Sequence, residues 1–250
     1  MAGRFWTYLL AGVWAAAMNC GALAQSLNAR QVMDAANRDR ARHGLGPLRW
    51  NPALAQAAQT HANRMVWERE LSHQYPGEPD LVARTAASGA HFQTVAENLA
   101  VGPSPQALEN EWMHSPPHRR NILDPRLNEI GVGIVEQNGS LWAVEDFAAG
   151  VPNLGSSQIE RKVDTLLTQN GIRPLPSSPA ARQTCAMDHG FAGARPGFIM
   201  RWQSSNLNRL PGVLVSQIRS GRFRTAAVGA CNASNANPGF TTYRVAVLLY

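Results

Sequence analysis

Apolar residues recur with a helical period near the start of the chain and give way to alternation further on. Ala29, Val32, Met33 and Ala36 form one stripe, with Asn28 as candidate N-cap, Gly44 as stop signal and Pro47 beyond it. A second helix is expected from Pro52, suited to a first turn, to about Glu70, with Leu54, Ala58, His61 and Met65 on one face. After Leu71-Ser72-His73 the pattern breaks into proline, glycine and polar clusters, with a short helical stretch near Leu81 to Ala87. A third helix is expected after Ser104, through Leu108 and Trp112, ended by Pro116-Pro117. Two strands, Ile130 to Val135 and Leu141 to Phe147, flank Gln137-Asn138-Gly139, a hairpin turn signal. Helices followed by an antiparallel hairpin predict a mixed α+β layered fold.

The segment GVPNLGSSQ, residues 150 to 158, reads as a linker, and the chain divides into 26–150, a linker over 151–159, and 160–250. The last part echoes the first. NGIRPLPSSPA from Asn170 aligns without gaps on HGLGPLRWNPA from His43, at an offset of 127 residues, with Gly44/Gly171, Pro47/Pro174, Leu48/Leu175, Pro52/Pro179 and Ala53/Ala180 identical. Helical patterns flank both stretches, and both parts end in strand, turn, strand. Residues 160–250 are therefore expected to be either a degenerate second copy or a small unrelated α+β unit.

The amino terminus changes the cysteine arithmetic. One positive charge, Arg4, precedes an apolar run from Phe5 to Met18, and Ala22-Leu23-Ala24 supplies the small residues of a signal-peptidase site. Residues 1–24 read as an export signal, too short in their apolar run for the ~20 residues of a spanning helix. Met18 and Asn19 make a poor lipidation context for Cys20. Removal of the signal leaves Cys185 and Cys231, expected as one disulfide in an oxidising compartment, secreted or periplasmic. No later stretch is apolar enough for a transmembrane anchor. The charge is +6, carried almost wholly by scattered arginines. With no basic run interleaved with aromatics, nucleic acid is not an expected partner.

Three residues of the first part carry candidate chemistry: His73 after the second helix, Glu97 in the apolar stretch VAENLAVG, and His118 after the two prolines. Imidazoles are common divalent-metal ligands, and a neighbouring carboxylate orients one or accepts a proton. The spacing matches no local metal motif; three separate surface polar groups are the plain alternative. His61 on an apolar stripe reads as a packed structural histidine. Arg119 and Arg120 read as a solvated rim, and Trp112 and Trp142 as core.

Taken together, ANRDRARHGLGPLRWNPALAQAAQTHANRM, ELSH, AENLAVG, EWMHSPPHRRNIL and EIGVGI…LWAVEDFA resemble the CAP superfamily in its bacterial, SCP-like form, related to cysteine-rich secretory and pathogenesis-related proteins. The resemblance covers about residues 28 to 149. It implies an α-β-α sandwich whose cleft holds two histidines and two acidic residues, with Zn²⁺ or another divalent cation bound there in several members. His73, Glu97 and His118 match three of these positions, although Ala96 and Pro117 replace usual glycines. The second acidic position has no match; it falls near Ser115, while Glu109 and Glu111 lie on the wrong side of Trp112. The implied function is a secreted binding module with a weak metal site for a cell-wall, lipid or protein ligand. The alternatives are a hydrolase, using metal-bound water with Glu97 as base or Ser115 with His118 and Glu97, and a lipid-binding protein.

Overall fold

Asn51 opens the helix that organises the first half: its side chain accepts from the amides of Ala53 and Leu54, and Pro52 occupies the first turn. In the computed structural model the described residues are 7–232 and 239–250, with side chains described from residue 25 onward. Two compact units divide at Gly150/Val151. The first contains α1 (Thr7–Arg42), β1 (Arg49–Trp50), α2 (Pro52–Glu68), α3 (Leu81–Ala87), β2 (Phe92–Gly102), α4 (Pro105–His114), α5 (Pro116–Ile122), β3 (Glu129–Gln137) and β4 (Ser140–Gly150).

The sheet order is β1-β3-β4-β2, with β1 parallel to β3 and the other pairs antiparallel. Residue parity sorts the strands between two helical layers. Ile130, Val132, Ile134, Ala143 and Phe147 pack with Val32 and Ala36 of α1, Leu108 and Trp112 of α4 and Ile122 of α5. Leu99 and Val144 face the other way, onto Ala58, Ala62 and Met65 of α2. This is the expected α-β-α sandwich.

Three details of the first unit differ from the sequence reading. The first helix does not start at Asn28; it runs from Thr7, and no proline interrupts it before Arg42. The export-signal expectation rests on residues 1–24, whose side chains lie outside the described residues. Among the described residues, no helix is long and apolar enough to cross a membrane. Phe92–Gly102, read as mostly irregular, is an eleven-residue strand. Pro116 and Pro117 do more than end α4: Ser115 is at once its C-cap and the N-cap of α5, so the prolines also open a helix.

The second unit contains α6 (Ser156–Gln169), β5 (Arg173–Pro174), α7 (Pro179–Ala186), β6 (Phe198–Ser204), α8 (Gly212–Arg219), β7 (Thr225–Cys231) and β8 (Tyr243–Leu249). The expected linker belongs to it: Val151 joins its core, the Tyr243 hydroxyl donates to Pro152 O, and residues 156–159 are the first turn of α6. Its sheet order, β5-β7-β8-β6, repeats that of the first unit with the same parallel and antiparallel pairs. The helix–strand contacts repeat as well. Gly131 of β3 leaves no room for a Cβ against the backbone of Leu54 and Ala55, and Gly229 of β7 none against Ala181 and Arg182. Those neighbours are 127 residues apart, the offset of the sequence echo. The second unit repeats this topology in reduced form, with one helix in place of α4 and α5 and none in place of α3. Cys185 and Cys231 are bonded, with Cα atoms 5.8 Å apart, tying α7 to β7 across 46 residues. A closure of that length stabilises by roughly 4 kcal/mol in the chain-entropy model.

Candidate functional site

The site forms along β2, an outer strand of its sheet, where elements from both helical layers reach the same backbone. Glu97 points toward the α2/α3 layer and is 6% exposed. Its Oε1 accepts from His73 Nδ1 at 2.7 Å and its Oε2 from the buried Arg84 guanidinium. Arg84 belongs to α3, started by Asp80, whose side chain accepts from the Ala83 amide. The same guanidinium donates to His73 O and Pro79 O, so it also pins the loop that carries His73. Behind Glu97, fully buried His61 contacts Glu78 Oε1 through Nδ1 (2.7 Å) and Ser72 O through Nε2 (2.9 Å).

Asp146 of β4 lies directly across from Glu97 in register and is fully buried. Burial, then the charge of Glu97, push its carboxyl well above the usual range, which favours its protonated form. Arg84 opposes that shift.

The next residue along each strand faces the other layer. Asn98 Nδ2 donates to Glu145 Oε2 (3.1 Å) and to His118 O (3.3 Å), and Asn121 Nδ2 donates to Asn98 Oδ1 and to Glu97 O. These bonds dock α5 on β2 and bring His118 to the strand that holds Glu97. His73 remains largely exposed, with a side-chain exposure of 62%. Its hydrogen bond to Glu97 holds the imidazole above its ordinary value of 6.5, against the effect of burial. His118 moves the opposite way: burial lowers it first, the neighbouring His73 lowers it further, and Glu111 opposes both. The charge of His73 thus reaches His118. His118 Nδ1 is buried and, among the described residues, has no hydrogen-bond partner.

A family model for the cysteine-rich secretory protein family, CAP, matches residues 33–147. The first unit is a CAP domain.

Two curated relatives from Bacillus subtilis (strain 168) align with it. The uncharacterized protein YkwD is 33% identical over 114 residues, 45% of this chain and 44% of YkwD. The uncharacterized membrane protein YlbC is 30% identical over 112 residues, 44% of this chain and 32% of YlbC. The aligned segment thus spans less than half of either relative. Among solved structures, an extracellular protein containing a SCP domain from Bacillus anthracis is similar, with 28% identity and a TM-score of 0.47 over 50% of this chain and 41% of that one. A cysteine-rich secretory protein from Staphylococcus aureus is also similar, with 21% identity and a TM-score of 0.41 over 50% and 39% of the two chains.

Within the CAP domain the structure joins His73 to Glu97 by a hydrogen bond and brings His118 to the same strand. Among the described residues, no three His, Cys, Asp or Glu side chains form a ligand set for a metal ion. Glu97 has one oxygen on His73 and the other on Arg84, an arrangement that orients an imidazole more readily than it binds an ion. Ser115 makes no hydrogen bond to His118 among the described residues, and its hydroxyl does not cap α5. His61 is a core residue, as expected, and also forms the floor behind Glu97. Trp112 is core too, donating from Nε1 to Leu99 O. Glu109 turns fully into the core, whereas Glu111 acts on His118.

Arg84, Glu78 and Asp146 were missed by the sequence reading. One signal was present: Glu145-Asp146 puts two acids in the middle of an otherwise apolar strand. The second unit carries no equivalent. Arg201 and Ala246 pair in the register position held by Glu97 and Asp146 in the first, and Gly229 and Gly131 fix the correspondence.

Proposed function

We propose that the CAP domain is an exported recognition module whose binding element is the His73–His118 pair, with Glu97 and Arg84 as the frame that positions it. The observation that carries this reading is the Glu97 carboxylate, bonded to the exposed His73 on one side and the buried Arg84 on the other. Such a frame holds one imidazole with Nε2 outward and costs little reorganisation when a ligand arrives. His73 and His118 would be the residues to hold a divalent ion such as Zn²⁺, which would supply open positions for an oxygen-bearing ligand. Glu97 then acts through His73 Nδ1 as the orienting carboxylate. The site is a modest one, since two imidazoles are fewer than the three protein ligands usual in catalytic zinc sites. The amino-terminal export pattern, together with extracellular and secretory descriptions attached to similar proteins, supports a place outside the cytoplasm.

Binding is favoured over hydrolysis by what surrounds the candidates. Ser115 and His118 are not joined, and Glu97 is neutralised by Arg84 instead of lying free as a base. The test compares the wild type with a His73→Ala/His118→Ala double variant on purified peptidoglycan, casein and ester substrates. The expected result is retention of the wild type on peptidoglycan, weakened in the double variant, with no product released from any substrate. Turnover that disappears in the double variant would overturn this reading in favour of the hydrolase.

A further inference from the structure

A second recognition feature lies on the outer face of α2. Thr60, Asn63, Arg64 and Trp67 follow the i, i+3, i+4, i+7 spacing of one helix face. With Pro76, Gly77 and Glu78 they line an open pocket of about 440 Å³, within the size range of small-ligand sites. Trp67 is 72% exposed. An indole this open beside a formed pocket offers a stacking surface to whatever enters it.

The chemistry of the lining selects the ligand. The Arg64 guanidinium lies over the Trp67 ring, 4.7 Å from its centroid, and is also ion-paired with Glu68. One indole face is thus braced by a cation and the other is free to stack. Asn63 accepts from Gln59 through its carbonyl oxygen, which leaves the amide NH₂ to donate. Thr60 donates to Gln56 O, which leaves its oxygen to accept. Glu78 offers further acceptor capacity beside its bonds to His61 and the Tyr75 amide. The two ionic groups facing the pocket each have partners within the protein: Arg64 pairs with Glu68, and Glu78 contacts His61 and lies 3.9 Å from the Arg84 guanidinium. The pocket therefore suits an uncharged ligand with one apolar face and a rim of hydroxyl and amide groups. A pyranose ring has this form: axial C–H bonds on one face and hydrogen-bonding groups around the edge. A lipid chain lacks the polar rim, and a nucleic acid or a charged peptide would bring charge that the pocket does not match.

We infer that the Trp67 pocket is a glycan subsite, with Trp67 as the stacking platform and Asn63, Thr60 and Glu78 as the polar rim. This deepens the recognition reading above and rests on it for biological sense, but its geometry is separate from the two histidines. Glu78 links the two, since its partner His61 lies 3.9 Å from Glu97.

Calorimetry and tryptophan fluorescence with chitotetraose and cellotetraose test the assignment on the full chain. The expected result is weak binding of at least one neutral oligosaccharide with a change in indole emission. Trp67→Ala should weaken it at least tenfold and Asn63→Ala several-fold, while the His73→Ala/His118→Ala double variant binds as the wild type does. Trp67 is exposed, so its alanine variant retains the fold, which its circular dichroism checks. No binding of either oligosaccharide at millimolar concentration would overturn the subsite, as would equal binding by Trp67→Ala. Loss of the sugar in the histidine double variant would also overturn it, by moving the sugar to the histidine site. Absence of peptidoglycan retention by the wild type, with oligosaccharide binding intact, would count against the module reading and not against this pocket.

Discussion

Arg84→Met is expected to destabilise the CAP domain by about 3–5 kcal/mol, the usual cost of removing one partner from a buried ion pair. The Arg84 and Glu97 side chains are only 5% and 3% exposed, so solvent cannot replace the missing guanidinium. Glu97 would then share its pocket with Asp146 without a counter-charge, and Arg84 would no longer hold the backbone of His73 and Pro79. The double variant Arg84→Met/Glu97→Gln should recover part of the loss, because it removes the stranded charge. Peptide-resolved hydrogen exchange in denaturant reads the effect, which should be confined to residues 25–150. Equal losses in single and double variants would show that Arg84 acts by packing alone.

Stability of the CAP domain is expected to fall as pH rises from about 5 to about 8. Glu109 of α4 is fully buried, and burial, with Asp39 of α1 beside it, pushes its carboxyl up to about 8, against Arg38. Glu145 of β4 is raised by burial and then by Glu109, and Asp146 by burial and then by Glu97. For a carboxyl whose folded pKa exceeds its unfolded value, the folded state binds more protons between the two values. The stabilising contribution is complete below the unfolded pKa and is lost as pH rises through the folded one. Each such proton gives a slope of about 1.4 kcal/mol per pH unit, so Glu109 alone is worth about 5 kcal/mol over that window. Thermal melts from pH 5 to pH 9 should show the decline. Glu109→Gln should flatten it and leave the variant more stable than the wild type above pH 8. A wild-type profile that rises over this range would contradict the assignment.

How much of this was legible beforehand follows from how local each signal is. Asn51-Pro52 and Ser104-Pro105 mark helix starts because the cap and the first-turn proline act within three residues. Asn138-Gly139 marks the hairpin because both residues tolerate positive φ, here 53° and 75°. Phe92–Gly102 was not legible as a strand. Glu97 and Asn98 interrupt its apolar pattern, and both are buried only because β4 and the layers above and below supply partners. Arg84 and Glu78 read as ordinary charged residues in a polar segment; only the docking of α3 over β2 makes them the frame of a site. The repeat was legible in outline from five identities, while its meaning, a copy with Arg201 and Ala246 in the position of Glu97 and Asp146, needed the strand register.

If His73 and His118 act as one site oriented by Glu97, calorimetric titration of Zn²⁺ into the full chain will show it. One reversible site is expected at pH 7.5, absent in His73→Ala and in His118→Ala, and weakened in Glu97→Gln because His73 loses its orienting carboxylate. Because protons compete for imidazole nitrogen, the affinity should fall below about pH 6.5. Zinc binding of equal strength in the wild type and both histidine variants, or none in the wild type, would contradict it.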